Sequence, residues 1–458
     1  MHHHEQRAKS WRKYTPCGCV LLLFAVVVAI PVIGWMVWSM NAARLVEDEL
    51  AKLRAANEPL EPSDLDPFYA IPPGKSDATR LWVDVNQTFE SASFAEAVRQ
   101  LPIVGEGAEI PPVGEDWEQL EAVEAFLADH SDEMSKVHKA ASLGGYARFD
   151  RDFDDGIAML LPQVQGIRSA ARMLILEARV AAHQGDADGV ARSIHAIFAT
   201  CRAVEEDPIL ISDLVQVALA GIAVSELEIA VGSVEFSDAD LQMLREDVRS
   251  IDFQRSLERA LMGERVIGIL TFRNPGKFDV SEEMPFPMRA NNEDLALYLS
   301  TLAKYVEASR QPFPEALATA EEATLNVQEV VGDSGVNKLR YVFTNLLLPA
   351  LDAVFGANAR GTGSTHCADT SLAIEMYRRV NGKLPQTLAE LVPEFMDIVP
   401  IDPMDGDPLR YVVNDDGYML YSVGRNQVDD GGVMGDERLD EVYSIEIGAR
   451  NASSEVNK

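Results

Sequence analysis

Cysteine, aromatic residues and basic side chains are all scarce in this 458-residue chain. Four cysteines are too few for a scaffold held together by disulfides. Only 40 lysines and arginines face 73 acidic residues, a net charge of −33, which argues against nucleic acid as a partner because phosphate binding needs a basic face. The sequence also lacks a P-loop, an HExxH zinc motif and a GxSxG nucleophile elbow. Its 47% of hydrophobic residues is typical of a globular protein, here long enough for two or three domains.

The longest uncharged stretch lies near the N-terminus, from Tyr14 to Ala43. Within it, Cys17 to Trp38 supply 22 mostly apolar positions, which as a helix extend about 33 Å and can cross a hydrocarbon core of about 30 Å. Basic residues precede this stretch and acids dominate after it: Arg7, Lys9, Arg12 and Lys13, then Arg44 with Glu47, Asp48 and Glu49. The positive-inside bias predicts a single-pass inner-membrane protein with a cytoplasmic N-terminus and an extracytoplasmic bulk. A cleaved signal peptide is the alternative, although its apolar region would be shorter, about 7–15 residues.

Composition then divides the chain into segments. We predict a cytoplasmic tail (1–16), a transmembrane helix (17–40), a proline-rich membrane-proximal stalk with extended segments (41–115), a helical domain (116–356) and a small α+β module (364–450). The fold class expected is therefore mainly α, an irregular helical bundle with a membrane helix at one end and a small mixed module at the other. A second apolar stretch, Pro208 to Val231, is interrupted by acids, so it favours a helix buried in the body rather than a second span.

Two consecutive apolar stripes give the clearest helical signal. Their members recur every three or four residues, the spacing of one helix face: Val164, Ile167, Ala171, Leu174, Ala178 and Ala181, then Val190, Ile194, Ile197, Cys201 and Val204. Gly185 and Asp186 separate the stripes and supply a helix stop and a new N-cap. The pair predicts an antiparallel helical hairpin similar to a tetratricopeptide unit, but no 34-residue repeat recurs, so a solenoid is not expected.

Acidic clusters are the candidates for chemistry in the helical region. The run FDRDFDDG fails as an EF-hand, because the sixth and twelfth positions counted from Asp150 are Asp155 and Leu161 rather than Gly and Glu. The clusters Glu205-Glu206-Asp207 and Glu321-Glu322 favour solvated faces, since buried unpaired charges are costly. An envelope hydrolase that uses carboxylates of this region stays open as an alternative. A disulfide between Cys201 and Cys367 also stays open.

The C-terminal segment has a different pattern. A helix is predicted over Ala368 to Val380 and a short second helix over Thr387 to Phe395. Strands are predicted over Leu409–Val413, Tyr418–Val423 and Glu441–Ile447, the first two joined by the turn Asn414-Asp415-Asp416-Gly417.

These residues resemble a known family. AIEMYRRVNGKLPQTLAELVP, IDPMDGDPLRY and YMLYSVGRNQVDDGG are similar, in this order, to the C-terminal half of the major (G-type) pseudopilin of type II secretion systems. The resemblance implies a calcium site in the last loop, formed by Ser422, Asn426, Asp429, Asp430 and Asp436. Asn426 stands where the family has an aspartate. The N-terminus lacks the prepilin cleavage motif, so a polymerising pilin subunit is not expected.

The rest of the chain resembles uncharacterised membrane-anchored bacterial helical proteins that combine a RAANEPLEPSDLDPFYAIPP-type stalk with a helical middle and this tail. We therefore expect an extracytoplasmic scaffold without catalytic activity that binds protein partners in the cell envelope and uses calcium to order its terminal loop. The alternatives are an accessory component of a type II secretion or pilus-like assembly and the envelope hydrolase named above.

Overall fold

The computed structural model describes residues 16–274, 277, 292–348, 351–433 and 440–446. It is mainly helical, with one small antiparallel sheet at the C-terminal end. The first helices in chain order are α1 (Pro16–Ala55), α2 (Pro62–Phe68), α3 (Thr79–Phe89), α4 (Ala92–Ala97), α5 (Leu120–Asp129), α6 (Ser131–Ser142), α7 (Pro162–Gln184), α8 (Ala187–Glu205) and α9 (Leu210–Ser233). The others are α10 (Asp238–Arg249), α11 (Phe253–Arg273), α12 (Asn292–Ser309), α13 (Glu315–Val331), α14 (Gly335–Arg340), α15 (Val342–Leu347) and α16 (Leu351–Asn381). Short 3₁₀ helices cover Phe153–Ala158 and Leu388–Leu391.

The predicted helical hairpin is confirmed as α7 and α8, and every residue of both apolar stripes is buried. Pro162 occupies the first turn of α7, where its missing N–H group is tolerated. Gly185 ends α7 in the left-handed region at φ 73°, a conformation that side chains with a Cβ rarely adopt. Asp186 then caps α8 by accepting the backbone N–H of Gly189 at 2.9 Å.

The C-terminal sheet has the order β1-β2-β3, with strands Arg410–Val413, Gly417–Ser422 and Glu441–Glu446. The three strands fall within one or two residues of the predicted ranges. Tyr411 pairs with Leu420, and Leu420 pairs with Tyr443. The second predicted short helix is reduced to the 3₁₀ turn Leu388–Leu391, since the backbone after Leu391 leaves helical geometry at Val392.

Two apolar cores hold the body together. The larger core contains the α7–α8–α9 layer, α3, α6 and α10, and it continues through α16 to the sheet. Because α16 runs unbroken from Leu351 to Asn381, the helical region and the C-terminal strands share this core. The second core joins α11, α12, α13 and the start of α16 to the later part of α1.

The segment 41–115 contributes to both cores. Val46 and Leu50 on α1 pack in the second core against α12. Trp82 and Val85 on α3 are fully buried in the larger one, where the Trp82 indole donates to the Gly145 carbonyl at 2.8 Å. The body is therefore built partly from the residues that directly follow the apolar N-terminal stretch.

Among the described residues, three stretches are long and apolar enough to cross a membrane: Ala25–Ala55, Leu210–Ser233 and Val342–Asn381. In the most apolar window of the first, only 6% of the residues are buried in the protein, against 56% in each of the other two. Among the α1 side chains between residues 26 and 40 that the structure describes, the aliphatic ones are exposed, including Val27, Ile30 and Ile33. The prediction of a buried helix around residues 208–231 agrees with the packing of α9 against α8, α11 and α16.

Candidate functional site

The loop after β2 contains most of the predicted calcium ligands. Asn426, Asp429 and Asp430 lie together there, and the Asn426 amide donates to Asp430 Oδ2 at 2.8 Å. Asp429 Oδ1 accepts the Tyr421 hydroxyl at 3.0 Å and the backbone N–H of Gly431 at 2.9 Å. Asp436 lies outside the described residues.

Ser422 is separate from these three because it is fully buried at the end of β2. Its hydroxyl donates to Asp402 Oδ1 at 2.7 Å. Asp402 is itself fully buried and also accepts the backbone N–H groups of Met404 at 2.9 Å and Val423 at 2.8 Å. The hydroxyl of Ser422 therefore fixes the Asp402 turn to the sheet.

One guanidinium group contacts three of the carboxylates around this loop. Arg410 Nη1 donates to Asp402 Oδ2 at 2.7 Å and to Asp405 Oδ1 at 3.2 Å, and its Nε lies 3.7 Å from Asp429 Oδ2. Burial works to raise the pKa of Asp405, but the hydrogen bonding and charge of Arg410, together with the backbone N–H of Asp407, outweigh it and the pKa is lowered. Burial raises the pKa of Asp402, against the bonds that it accepts.

Calcium prefers oxygen ligands, and Asn426, Asp429 and Asp430 carry side-chain oxygens on one loop, whereas Ser422 is engaged by Asp402. Within the described part of the chain, no group of three or more His, Cys, Asp or Glu side chains is close enough to hold a metal ion.

A cleft that the sequence did not reveal lies between the helical body and the C-terminal module. Its volume is about 440 Å³, within the usual range for ligand pockets. Side chains from three separate stretches line it: the apolar Val248, Ile251 and Phe253 from the α10–α11 turn, the hydroxyl-bearing Thr362 and Thr365 from the middle of α16, and the apolar Met396, Ile398 and Ile401 from the segment after the 3₁₀ turn. Ile398 and Ile401 are exposed.

An ion triad forms the polar wall of the cleft. Asp369 on α16 receives two arginines from α10: Arg245 Nε at 2.9 Å, and Arg249 through Nε and Nη2 at 3.0 Å each. Arg245 also donates to the Phe395 carbonyl at 2.6 Å, which ties the C-terminal segment to α10. Two guanidinium groups share this carboxylate, and Asp397 also lines the cleft, so these four side chains together carry no net charge.

His366 lines the same cleft. Its Nδ1 lies 3.0 Å from the Ile401 carbonyl, an acceptor, so Nδ1 carries the proton and donates. Burial lowers the pKa of His366, which favours the neutral ring with Nε2 as an acceptor. The cleft therefore offers apolar walls, a neutral imidazole and an edge of paired charges, a combination that suits an apolar side chain with a polar neighbour.

The Glu205-Glu206-Asp207 cluster is buried, so the prediction of a solvated face is wrong. Arginines from distant segments pair with each acid. Arg255 contacts Glu205 at 3.3 Å and Glu206 at 2.6 Å, Arg259 lies 3.3 Å from Glu206, and Arg151 donates to Asp207 through Nε at 3.1 Å. Burial, reinforced by the neighbouring Glu206, raises the pKa of Glu205 to about 7. The pair Glu321-Glu322 is exposed, as predicted.

A second polar cluster lies between α6, α7 and α8. Glu177 Oε2 accepts the Ser193 hydroxyl at 2.7 Å and lies 2.7 Å from His138 Nε2. The carboxylate thus stands between serine and histidine, whereas activation of a serine nucleophile needs the histidine in that place. Cys201 and Cys367 are both buried free thiols, so the bridge considered above is not formed.

Comparison of the chain with protein-family models, with curated proteins and with solved structures finds no match. The similarity of residues 364–450 to a pseudopilin therefore stays a prediction.

Proposed function

We propose that the chain is a single-pass, membrane-anchored scaffold whose body lies outside the cytoplasm and binds protein partners of the cell envelope without catalytic activity. The observation that carries this proposal is the contrast along α1. The described aliphatic side chains between residues 26 and 40 are exposed, while Ala42, Val46 and Leu50 are buried in the body. A bilayer is the environment that such an exposed apolar helix requires.

Orientation follows from the charge asymmetry around the helix, with basic residues before it and acids after it. One cysteine added at Val380, which is 69% exposed on the body, reports the orientation once Cys17 and Cys19 are replaced by serine. The native Cys201 and Cys367 are buried and stay unlabelled. A membrane-impermeant maleimide should label that cysteine in intact spheroplasts. Labelling only after permeabilisation would place the body in the cytoplasm and overturn the orientation.

The cleft is the position where we place partner binding. Its apolar walls and its edge of paired charges suit a segment of a partner that inserts an apolar side chain between polar neighbours. The test is a photo-crosslinking amino acid at Ile398, on the cleft rim, beside the same amino acid at Val380. Both positions are 69% exposed, so they differ in location rather than in accessibility.

A discrete adduct at position 398 that is absent at position 380 supports the scaffold, and its mass-spectrometric identity names the partner. Components of a secretion or pilus-assembly machinery in that adduct would support the accessory alternative. Equal labelling at both positions, or none, would remove the cleft as the docking position.

Calcium ordering of the terminal loop is the part of the proposal that rests on the family resemblance. Asn426, Asp429, Asp430 and Asp436 would hold the ion, which would supply charge neutralisation and a fixed loop conformation. We expect calcium to raise the Tm of the full-length protein, and Asp429→Ala with Asp430→Ala to abolish this shift. The control is Asp415→Ala with Asp416→Ala, which removes the same charge from an exposed hairpin turn. If the calcium titration is unchanged in the Asp429 and Asp430 double variant, the site is not there.

The burial of Glu205 beside Glu206 favours the hydrolase as a second candidate, because a carboxyl with a pKa of about 7 can donate a proton at neutral pH. The arginines around the cluster equally explain it as a structural network. Hydrolysis of chromogenic ester or glycoside substrates by the wild-type protein, lost in Glu205→Gln, would favour the enzyme.

A further inference from the structure

The end of the body that faces the membrane can be located from the way α12 lies along α1. The Trp38 indole donates to Glu293, in the first turn of α12. At the other end, Arg310 Nη2, just after α12, donates to Glu58 Oε1 at 2.8 Å, just after α1. The two helices therefore run parallel, and since each rises about 1.5 Å per residue, the start of α12 lies level with Trp38.

The short helices α14 and α15 are held at this same level. The Arg340 guanidinium pairs with Glu293 and lies 4.7 Å from the centre of the Trp38 ring. The carboxylate of Asp294 accepts the backbone N–H groups of Phe343 at 2.9 Å and Thr344 at 3.0 Å. The first turn of α12 thus fixes both ends of the 340–344 segment beside Trp38.

The composition of this segment differs from that of the rest of the chain. Residues 334–351 contain Lys338 and Arg340 and no aspartate or glutamate, in a chain with a net charge of −33. The Lys338 side chain is 53% exposed and its Nζ lies 3.7 Å from Oδ1 of the exposed Asp333, a surface pair of the kind that contributes little. Leu346 is 50% exposed. Exposed basic and apolar side chains in one short segment are typical of segments that lie in the interface of a bilayer.

We propose that the α14–α15 face, residues 335–347, rests on the lipid surface beside the point where α1 leaves the bilayer. Trp38 ends the uncharged apolar stretch of α1, where an indole sits at head-group level. Arg340 contacts its ring, so the face lies within a few residues of the head groups. Leu346 enters the interfacial layer, and Lys338 attracts anionic head groups. This inference rests on the proposed function, because it requires α1 to be a membrane anchor.

The experiment uses full-length protein with Cys17→Ser and Cys19→Ser, reconstituted in vesicles of phosphatidylcholine with or without phosphatidylglycerol. One added cysteine, Leu346→Cys, carries an environment-sensitive fluorophore, and Val380→Cys at the far end of α16 is the matched control. The native Cys201 and Cys367 are buried and stay unlabelled. Flotation of the vesicles after an alkaline wash reports the anchor in the same samples.

We expect the emission maximum of the probe at position 346 to shift to shorter wavelength. A lipid-borne quencher should remove at least about twofold more of its fluorescence than of the fluorescence of the probe at position 380. Lys338→Glu should reduce that quenching in the anionic vesicles more than in the neutral ones. If the protein floats with the vesicles but gives equal quenching at both positions, α1 is an anchor and the proposed lipid contact of residues 335–347 is wrong. If the protein fails to float, both the anchor and the lipid contact are wrong. Quenching at 346 that ignores lipid charge and Lys338→Glu contradicts the role of Lys338.

Discussion

Helices α1 and α9 are both apolar and long enough to span a membrane, but they lie in opposite environments. In the apolar window of α1, 6% of the residues are buried in the protein, whereas in α9 the share is 56%. The difference comes from three acids. Asp213 accepts the Asn358 amide at 3.0 Å, Glu226 is bound by Arg179 through two bonds of 2.9 Å, and Glu228 accepts the backbone N–H of Ser444 at 2.7 Å.

Each acid of α9 thus has a partner on a different element: α16, α7 and β3. The uncharged stretch of α1 has no such acids, and among its side chains that the structure describes Trp38 is the first to bond to the body. The comparison indicates that hydropathy measures the need for an apolar environment, while the polar side chains decide whether protein or lipid provides it.

The largest expected effect comes from breaking the Arg179–Glu226 pair. Arg179→Met leaves the Glu226 carboxylate buried without its cation, which should lower the free energy of unfolding by about 3–5 kcal/mol. Adding Glu226→Leu removes the stranded charge and should restore most of the loss. Urea denaturation of the full-length protein in detergent measures both variants. Equal midpoints for the single and the double variant would show that the pair does not hold α9.

A smaller effect is expected within α1. Leu50 is 4% exposed in the second core, so Leu50→Ala should lower the free energy of unfolding by about 2–4 kcal/mol. Leu45→Ala makes the same chemical change on the same helix at a site that is 56% exposed, and should cost less than about 0.5 kcal/mol. Similar losses for the two variants would contradict the docking of this part of α1.

The smallest expected effect is a pH dependence of the protein's stability that comes from Asp213 on α9. Burial raises the pKa of Asp213 to about 7, against the hydrogen bond from Asn358. The folded protein therefore holds this proton at pH values where the unfolded chain has lost it, and the stability contributed falls as pH rises from the ordinary pKa of 3.8 to about 7. Asp213→Asn should be about 2 kcal/mol more stable than the wild type at pH 8, with a smaller difference at about pH 5. A constant difference between these two pH values would contradict the role of Asp213.

Local patterns predicted the local structure well. The stripes of α7 and α8 and the three strands depend on the spacing of apolar residues along the chain, and both appear as expected. The acids in the Pro208–Val231 stretch likewise predicted burial in the body. These features require only neighbouring residues to be known.

The errors and omissions concern contacts between distant residues. The cluster Glu205-Glu206-Asp207 was predicted to be exposed to solvent. The arginines whose charges make its burial possible lie about 50 residues away on either side of it: Arg151, Arg255 and Arg259. The cleft is formed by residues 248–253, 362–369 and 396–401, and no local sequence pattern predicts that these three distant segments come together. Two arginines four residues apart, at 245 and 249, were the only local signal for its charged wall.

The continuity of α1 sets how the body can move. Between Trp38 and Ala55 the helix contains neither glycine nor proline, and α12 runs alongside it. A continuous helix of this kind resists bending and twisting. With α1 as the proposed anchor, the body would keep a fixed height and orientation relative to the bilayer, and a rotation of α1 about its own axis would rotate the whole body with it.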